Sequence, residues 1–407
     1  MKKLLILGAG VYQVPLIKKA KEMGLYTIVA SYHGSYPGLT LADEVWEVDT
    51  RDTKVLLSLS QKAKIAGVCT AGTDVAVRSL GILCERLGLF GLSAKTAKIV
   101  TNKALMKETF LSGQVTTPPA YKVYTYHEAL QAFEKIGKTA LIKAVDSSGS
   151  RGIIKIPSAD KIKSAWATAL GISQTDYLLV EEFIKAEEIG VDGFICNGNI
   201  QFMLTHDKFT HTIQGVTLPT GHAFPRLASP PYDDPQLEAD ILHQIERAIM
   251  ATGLNNCAFN ADVLITDKQA YIIEIGGRSG ATCIPELISI YGGFDYYEQM
   301  ILNALGEIPC FTFQTPIPCM AKLLFSTVDG AITAIDEALL ESLRSDTIHI
   351  SLDYMVGEKV TAIENGTSRI GQVIMNTSSE SELDNLMSKV RHAIQINGEC
   401  LDNLWDK

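Results

Sequence analysis

From Lys3 to Leu87 the chain alternates short apolar runs with segments of helical period, and this alternation restricts the fold more than any other feature. Lys3 to Leu7 reads as a buried strand, Gly8-Ala9-Gly10 as a tight turn, Pro15 to Met23 as a helix, and Tyr26 to Ala30 as a second strand. Strands at Glu44 to Val48 and Gly67 to Ala71, with helices at Thr53 to Ala63 and Val75 to Leu87, continue the pattern. Parallel strands need crossovers of helical length, so a doubly wound α/β unit is expected here. The glycine turn lacks the parts that bind a nicotinamide dinucleotide. Gln13 stands where a third glycine would let helix and strand pack closely, and Ile28-Val29-Ala30-Ser31 ends without an acid for the ribose hydroxyls. The turn is read as a strand-to-helix connection.

The chain is 407 residues long, more than one hydrophobic core usually supports, so further units are expected after the first. With 46% apolar and 20% charged residues the composition is that of an ordered globular protein. A net charge of −10 without any local Lys/Arg block argues against nucleic acid as a partner. No stretch reaches the roughly 18 apolar residues of a membrane helix, so no membrane partner is expected. The run Met1 to Leu7 breaks at Gly8 with lysines following at 18, 19 and 21, which does not suit a signal peptide. The eight cysteines are scattered through apolar segments with no C-x-x-C pair, which fits buried thiols in a reducing compartment such as the cytoplasm.

From Lys103 the texture changes. A helix (Lys103 to Leu111), a Pro118-Pro119 break, a helix near His127 to Ile136 and a strand from Thr139 to Val145 precede the loop Asp146-Ser147-Ser148-Gly149-Ser150-Arg151-Gly152. A small-residue loop between two strands can lay backbone N–H groups against phosphates. Lys143, alone in the apolar run Leu141 to Val145, requires a partner, and its compact ammonium suits phosphate oxygens.

Further on, Asp233-Asp234 can cap a helix that starts at Pro235 and carries Leu237, Ile241, Ile245 and Ile249 on its apolar face. Two strands follow. Ala258 to Ile265 alternates Phe259, Ala261, Val263 and Ile265 on one face with Asn260, Asp262 and Leu264 on the other, and Ala270 to Ile275 returns. A turn centred on Lys268 sets Asp262 opposite Glu274 and Asn260 opposite Gly276. Opposed β carbons lie roughly 4.5 to 5.5 Å apart, and two carboxylates at that spacing among aliphatics require a cation between them. An oxygen-only pair beside a phosphate-binding loop suits a hard ion such as Mg2+, with Mn2+ as a substitute. Beyond it, Gly276-Gly277-Arg278-Ser279-Gly280 presents an arginine in a turn that a ligand can approach closely.

Together these features resemble the ATP-grasp superfamily, in particular its carboxylate-amine ligases, with the layout of biotin carboxylase and carbamoyl-phosphate synthase. Thr70-Ala71-Gly72-Thr73-Asp74, Gly88 to Ser93, Asn102-Lys103 before a helix, and Val180-Glu181-Glu182-Phe183-Ile184 followed by Glu188 extend the likeness over nearly the whole chain. The resemblance implies an N-terminal doubly wound unit (1–100), a two-part ATP-grasp fold (101–313, lobes about 115–185 and 186–313) and a C-terminal α+β module (314–407). It implies ATP as a ligand: Lys103 and Lys143 on the phosphates, the Ser147, Ser148, Gly149, Ser150 and Gly152 loop over them, Glu181, Glu182, Phe183 and Ile184 at the adenine edge, and Glu188 at the ribose. Asp262 and Glu274 match the metal carboxylates. The family's metal-side asparagine is here Gly276, and Asn260 opposite it is expected to supply the missing amide oxygen or to orient a metal-bound water. Arg278 and Lys208 are the implied catalytic cations, and His222, Gly277 and Arg278 the substrate contacts, within an irregular stretch from Thr205 to Pro225 for the histidine. The implied reaction activates a carboxylate as an acyl phosphate for attack by an amine, such as that of an amino acid, in a homodimer acting on small molecules. A purine-pathway or carboxylating enzyme, or a non-catalytic nucleotide-binding protein, shares these features.

Overall fold

The computed structural model describes residues 1–147, 149, 151–213, 216–364 and 366–404. Ser148 and Ser150, expected in the phosphate loop, lie outside the described residues. The N-terminal part comprises β1 (Lys3–Leu7), α1 (Val14–Glu22), β2 (Tyr26–Ser31), β3 (Glu44–Glu47), α2 (Thr53–Ala63), β4 (Gly67–Cys69) and α3 (Val77–Leu87). Its strands form one parallel sheet in the order β3-β2-β1-β4, the doubly wound unit that the alternation requires. The Gly8 turn, at φ +100°, is closed by its own glutamine. Gln13 Oε1 accepts the Gly10 N–H at 2.9 Å, and its Nε2 donates to the Ala71 carbonyl at 2.5 Å. The residue that breaks the dinucleotide pattern thus ties the first turn to the end of β4.

After α4 (Ala94–Val100) and α5 (Lys103–Ser112) come β5 (Ala120–Val123), α6 (Tyr126–Ile136), β6 (Ala140–Ala144), β7 (Ile153–Ile156), α7 (Ile162–Ile172) and β8 (Leu178–Glu182). The strands pair antiparallel in the order β5-β8-β6-β7 and share with α6 and α7 a separate core around Ile142, Ile156, Ile162 and Val180. Asn102 caps α5: its side chain accepts the Leu105 N–H at 3.0 Å and donates to the Tyr177 hydroxyl at 2.9 Å.

The remaining elements are β9 (Glu187–Cys196), β10 (Asn199–Ile213), β11 (Val216–Phe224), α8 (Pro235–Thr252), β12 (Cys257–Ile265), β13 (Ala270–Gly276), α9 (Ile284–Gly292), α10 (Tyr296–Ala304), β14 (Cys319–Phe325), β15 (Gly330–Ile335), α11 (Glu337–Leu343), β16 (Ile348–Leu352), β17 (Lys359–Val360), β18 (Arg369–Met375), α12 (Glu380–His392), β19 (Ile394–Ile396), β20 (Glu399–Cys400) and α13 (Leu401–Leu404). Eight of the strands form one antiparallel sheet, β13-β12-β9-β10-β11-β14-β18-β16, so the C-terminal strands β14, β16 and β18 prolong the sheet that carries the hairpin. Helix α8 begins at the Asp234 cap and buries Leu237, Ile241, Ile245 and Ile249 in a core shared with Leu5 and Leu7 of β1 and with Phe259 and Ile272 of the hairpin.

The stretch expected to be irregular, Thr205 to Pro225, is instead mostly two long strands, β10 and β11, paired from Asp207 to Ala223. Polar residues hide its alternation. His206 and Lys208 are satisfied by partners on other strands, so the run shows no apolar period. Six of the eight cysteines are buried as expected, whereas Cys310 is exposed.

Close packing around β9 yields a test. A Cβ at Gly193 would overlap the Phe202 carbonyl and the Phe259 ring, while one at Gly171 in α7 meets nothing within 4 Å. In urea unfolding, Gly193→Ala is expected to cost about 3 kcal/mol, and Gly171→Ala to gain about 0.5 kcal/mol.

Candidate active site

The β12–β13 hairpin sets Asp262 directly opposite Glu274, and Asn260 opposite Gly276. It reaches that register by a different route from the one expected. The turn spans Thr266 to Gln269, which shifts the pairs nearest it by one residue, Ile265 with Ala270 and Val263 with Ile272. A bulge at Ile273 absorbs the shift and restores the opposition of the two acids. On β12, Phe259, Ala261, Val263 and Ile265 are buried while Asn260, Asp262 and Leu264 are partly exposed, as the alternation requires.

Each opposed acid has a lysine. Lys208 Nζ bonds Asp262 Oδ1 and lies 2.8 Å from Glu188 Oε1. Burial works against the Lys208 charge, but Asp262 and then Glu188 outweigh it and hold the ammonium above its ordinary value. Lys103 Nζ lies 3.7 Å from Glu274 Oε2 and donates to the Ser147 carbonyl at 2.5 Å. The structure therefore brings Lys103, Ser147, Glu188, Lys208, Asp262 and Glu274 into one connected charge cluster. The Ser147 hydroxyl closes its loop onto the Arg151 carbonyl at 2.6 Å. Gly149 (φ +65°) and Gly152 (φ +72°) take backbone conformations that favour glycine.

Lys143 has the partner its apolar strand demands. It bonds Glu181 Oε1 on the neighbouring β8, and Lys107 pairs with Glu181 Oε2 at 2.7 Å. All three side chains are about 6% exposed or less. Lys107 also bonds the Thr117 hydroxyl. This corrects the placement of Glu181 at an adenine edge: alternation along β8 turns its carboxylate inward, beneath two lysines. Burial raises the Glu181 pKa, but Lys107 and then Lys143 overcome it and hold the group below its ordinary value. Burial is also the main cause that lowers the Lys107 pKa. Glu182 pairs with Lys138 at 2.5 Å, and the ammonium of Lys155 lies 3.8 Å from the Phe183 ring centroid. The Phe183 N–H is used by the Thr139 carbonyl, whereas that of Ile184 has no backbone acceptor among the described residues.

Arg278 leaves the Gly276–Gly277 turn to join two parts of the chain. Its Nη2 donates to Asp74 Oδ2 at 2.9 Å, with Nε 2.8 Å from Asp74 Oδ1, and its Nη1 donates to Asn260 Oδ1 at 2.8 Å. Burial opposes the charge, and Asp74 more than restores it. Asn260 in turn donates from Nδ2 to Asp192 Oδ2 at 2.7 Å. Both amide ends are thus engaged, so the expectation that Asn260 offers a free oxygen to a metal is corrected: the oxygen faces an arginine. Gly277 packs against Leu254 and Leu92.

His222 stands opposite Lys208 in the β10–β11 register, but the ion pairs of the cluster among the described residues do not include it. It is 3% exposed, its ring 4.8 Å edge-on from His206, and burial drives its pKa well below the ordinary value, with His206 and Lys208 adding to the effect. It is a neutral core imidazole rather than a substrate contact.

A cavity of about 720 Å3 opens in front of the cluster, lined by Lys103, Ser147, Arg151, Asn260, Glu274 and Arg278 with Asp74, Arg78 and Asn102. Sequence reasoning assigned no role to Lys107, Asp74 or Asp192. The available signal was the one that singled out Lys143, a charge set in an apolar run: Asp192 interrupts Ile189 to Ile195, and Lys107 shares a helix face with Lys103. Among the described residues no three His, Cys, Asp or Glu side chains come together to hold a metal. Two opposed carboxylates, 25% and 37% exposed, nevertheless fit a hard cation whose other oxygens come from phosphate or water, the usual habit of magnesium. Among the described residues no helix is long and apolar enough to cross a membrane.

Residues 100–282 match the ATP-grasp domain family. The fold is similar to that of phosphoribosylglycinamide synthetase from Anaerococcus prevotii, with a TM-score of 0.80 at 28% identity over 97% of this chain and 99% of that one. An L-arginine-specific L-amino acid ligase from Bacillus subtilis is 21% identical over 87% of each chain. A formate-dependent phosphoribosylglycinamide formyltransferase from Bacteroides thetaiotaomicron is 27% identical, over 46% of this chain and 48% of that one.

The buried triad generates a stability test. Glu181→Gln leaves two buried ammonium groups without a counter-charge and is expected to cost about 3 to 5 kcal/mol in urea unfolding at pH 7. Because the folded pKa of Glu181 lies below its unfolded value, its contribution is present above the ordinary glutamate range and lost as pH falls through the folded value. The stability difference between the two proteins is therefore expected to shrink under acid conditions, and a constant difference would refute the assignment.

Proposed function

This chain belongs to the ATP-grasp superfamily of ATP-dependent ligases, and from that membership we propose that it activates a small-molecule carboxylate as an acyl phosphate and joins it to an amine, with an amino acid among its substrates. One observation carries the proposal. The opposed Asp262 and Glu274, each held by a displaceable lysine, stand beside Arg278, and Glu274 and Arg278 line one cavity with Lys103. Similarity to an amino acid ligase over 87% of both chains supports the amino acid. The likeness to phosphoribosylglycinamide synthetase favours a purine-pathway type of enzyme acting on a phosphorylated substrate as the second reading.

In the proposed mechanism Lys103 and Lys143 neutralise the ATP phosphates while the Ser147 to Gly152 loop covers them. Glu181 acts beneath Lys143, fixing its ammonium. The backbone of Glu182 and the Ile184 N–H meet the adenine edge, and Glu188 takes the ribose hydroxyls. Magnesium, when bound by Asp262 and Glu274, supplies neutralisation of phosphate charge. Arg278 stabilises charge on the transferring phosphoryl group, and the amine then displaces phosphate from the acyl carbon. Positioning and charge compensation account for the protein's part in such a transfer.

A coupled ADP-release screen over pairs of carboxylates and amino acids, with phosphoribosyl amines and bicarbonate alongside, tests this. ADP release that requires both an amino acid and Mg2+ is expected; ATP binding without release for any pair would leave a nucleotide-binding protein. Arg278→Ala should lower turnover roughly 100- to 1000-fold, the loss typical of one preorganised donor. Unaltered turnover would remove Arg278 from the site.

A further inference from the structure

Asp192 is fully buried in β9, an interior strand of the eight-stranded sheet, and the mechanism above does not use it. Its carboxylate accepts three hydrogen bonds. Oδ1 takes the Gly280 N–H at 3.1 Å, and Oδ2 takes Asn260 Nδ2 at 2.7 Å and His206 Nε2 at 2.9 Å. Two of these donors belong to the structure that carries Arg278. Gly280 ends its turn, and Asn260 receives its Nη1. The third donor is built in deliberately by sterics: a Cβ on Gly190 would overlap the His206 ring, so the glycine opens the space in which His206 reaches Asp192.

We propose that Asp192 is a positioning residue that sets which way round the Asn260 amide lies and thereby aims Arg278 into the cavity. An amide is nearly symmetric in shape, and its neighbours decide which end is oxygen. A carboxylate at 192 accepts only, so it draws Nδ2 and leaves Oδ1 for Arg278, which donates only. The line Asp192, Asn260, Arg278, Asp74 is consistent in polarity at every step. The Gly280 contact fixes the turn that carries the arginine.

The polarity can be reversed. In D192N the new amide cannot serve all three donors: with its oxygen kept on the Gly280 N–H, its NH2 meets the Asn260 amide N–H against N–H unless Asn260 turns its own NH2 toward Arg278, and with the amide reversed its NH2 meets the Gly280 N–H and the turn that carries Arg278 loses its contact. In N260D two carboxylates meet. In the double variant D192N/N260D the amide at 192 donates to the carboxylate at 260, whose other oxygen accepts from Arg278. Its second N–H meets His206 Nε2, which can accept once the ring proton moves to Nδ1, 3.3 Å from the Asp207 carbonyl.

The test is the turnover of Mg2+-dependent ADP release, with ATP KM and urea midpoint measured for each variant. Each single variant is expected to lose about 100-fold in kcat with ATP KM little changed, and the double variant to recover to within about tenfold of the parent. A folded D192N with parental kcat, or a double variant as impaired as the product of the singles, would overturn the proposal. If D192N does not fold, the double variant decides it. The turnover readout rests on the ligase reading. Should the parent release no ADP, that reading fails instead, and orthovanadate binding in the presence of MgADP decides this proposal: weakened in D192N and regained in the double variant if it holds, equal in all if it does not.

Discussion

Two carboxylates facing each other across a hairpin repel, and much of the site can be understood as a response to that repulsion. Asp262 and Glu274 project from a sheet whose other face is packed with Phe259, Ala261 and Ile275, so the protein beneath them offers no screening. Lys208 and Lys103 supply it in this structure. Both lysines come from outside the hairpin, one from β10, two strands away from β12 in the sheet, and one from the start of α5, so the pair recruits elements from three places in the chain. A cation of higher charge density that also binds phosphate can replace those lysines without loss of charge balance.

The same logic recurs deeper in the fold. Glu181 balances Lys107 and Lys143, and Asp74 balances Arg278; in each case a buried charge is retained with a partner of matching geometry rather than removed. Such pairs contribute little net stability, because desolvation offsets much of the attraction. Their effect is directional. Asp74 holds the Arg278 head in the cavity wall, and Glu181 holds the Lys107 and Lys143 heads at fixed places in the fold, which is the requirement of a site that works by positioning.

Legibility in the sequence followed the type of interaction. The β12 alternation, the α8 cap at Asp234 and the parallel unit up to Leu87 are local patterns of period 2 or 3.6, and each appears where its residues indicate. The opposition of Asp262 and Glu274 was also legible, although the turn assumed for it was one residue out and a bulge at Ile273 restored the register. Strands β10 and β11 were not legible, because their polar residues are satisfied from neighbouring strands and leave no apolar period. Glu181 and His222 were misplaced for a related reason: which face of a strand is buried depends on what packs against it.

By itself the sequence determined the local elements, the charge composition and which carboxylates oppose each other, since these depend on residues close together in the chain. Only the tertiary structure decided that Lys208 and Lys103 answer those carboxylates, that Glu181 lies beneath Lys143, and that Asp192, Asn260, Arg278 and Asp74 form one polarised line. Those partners are separated by tens to hundreds of residues: Arg278 and Asp74 stand 204 positions apart. A buried charge in a sequence states that a partner is required, and the packing of sheets and helices selects which one it is.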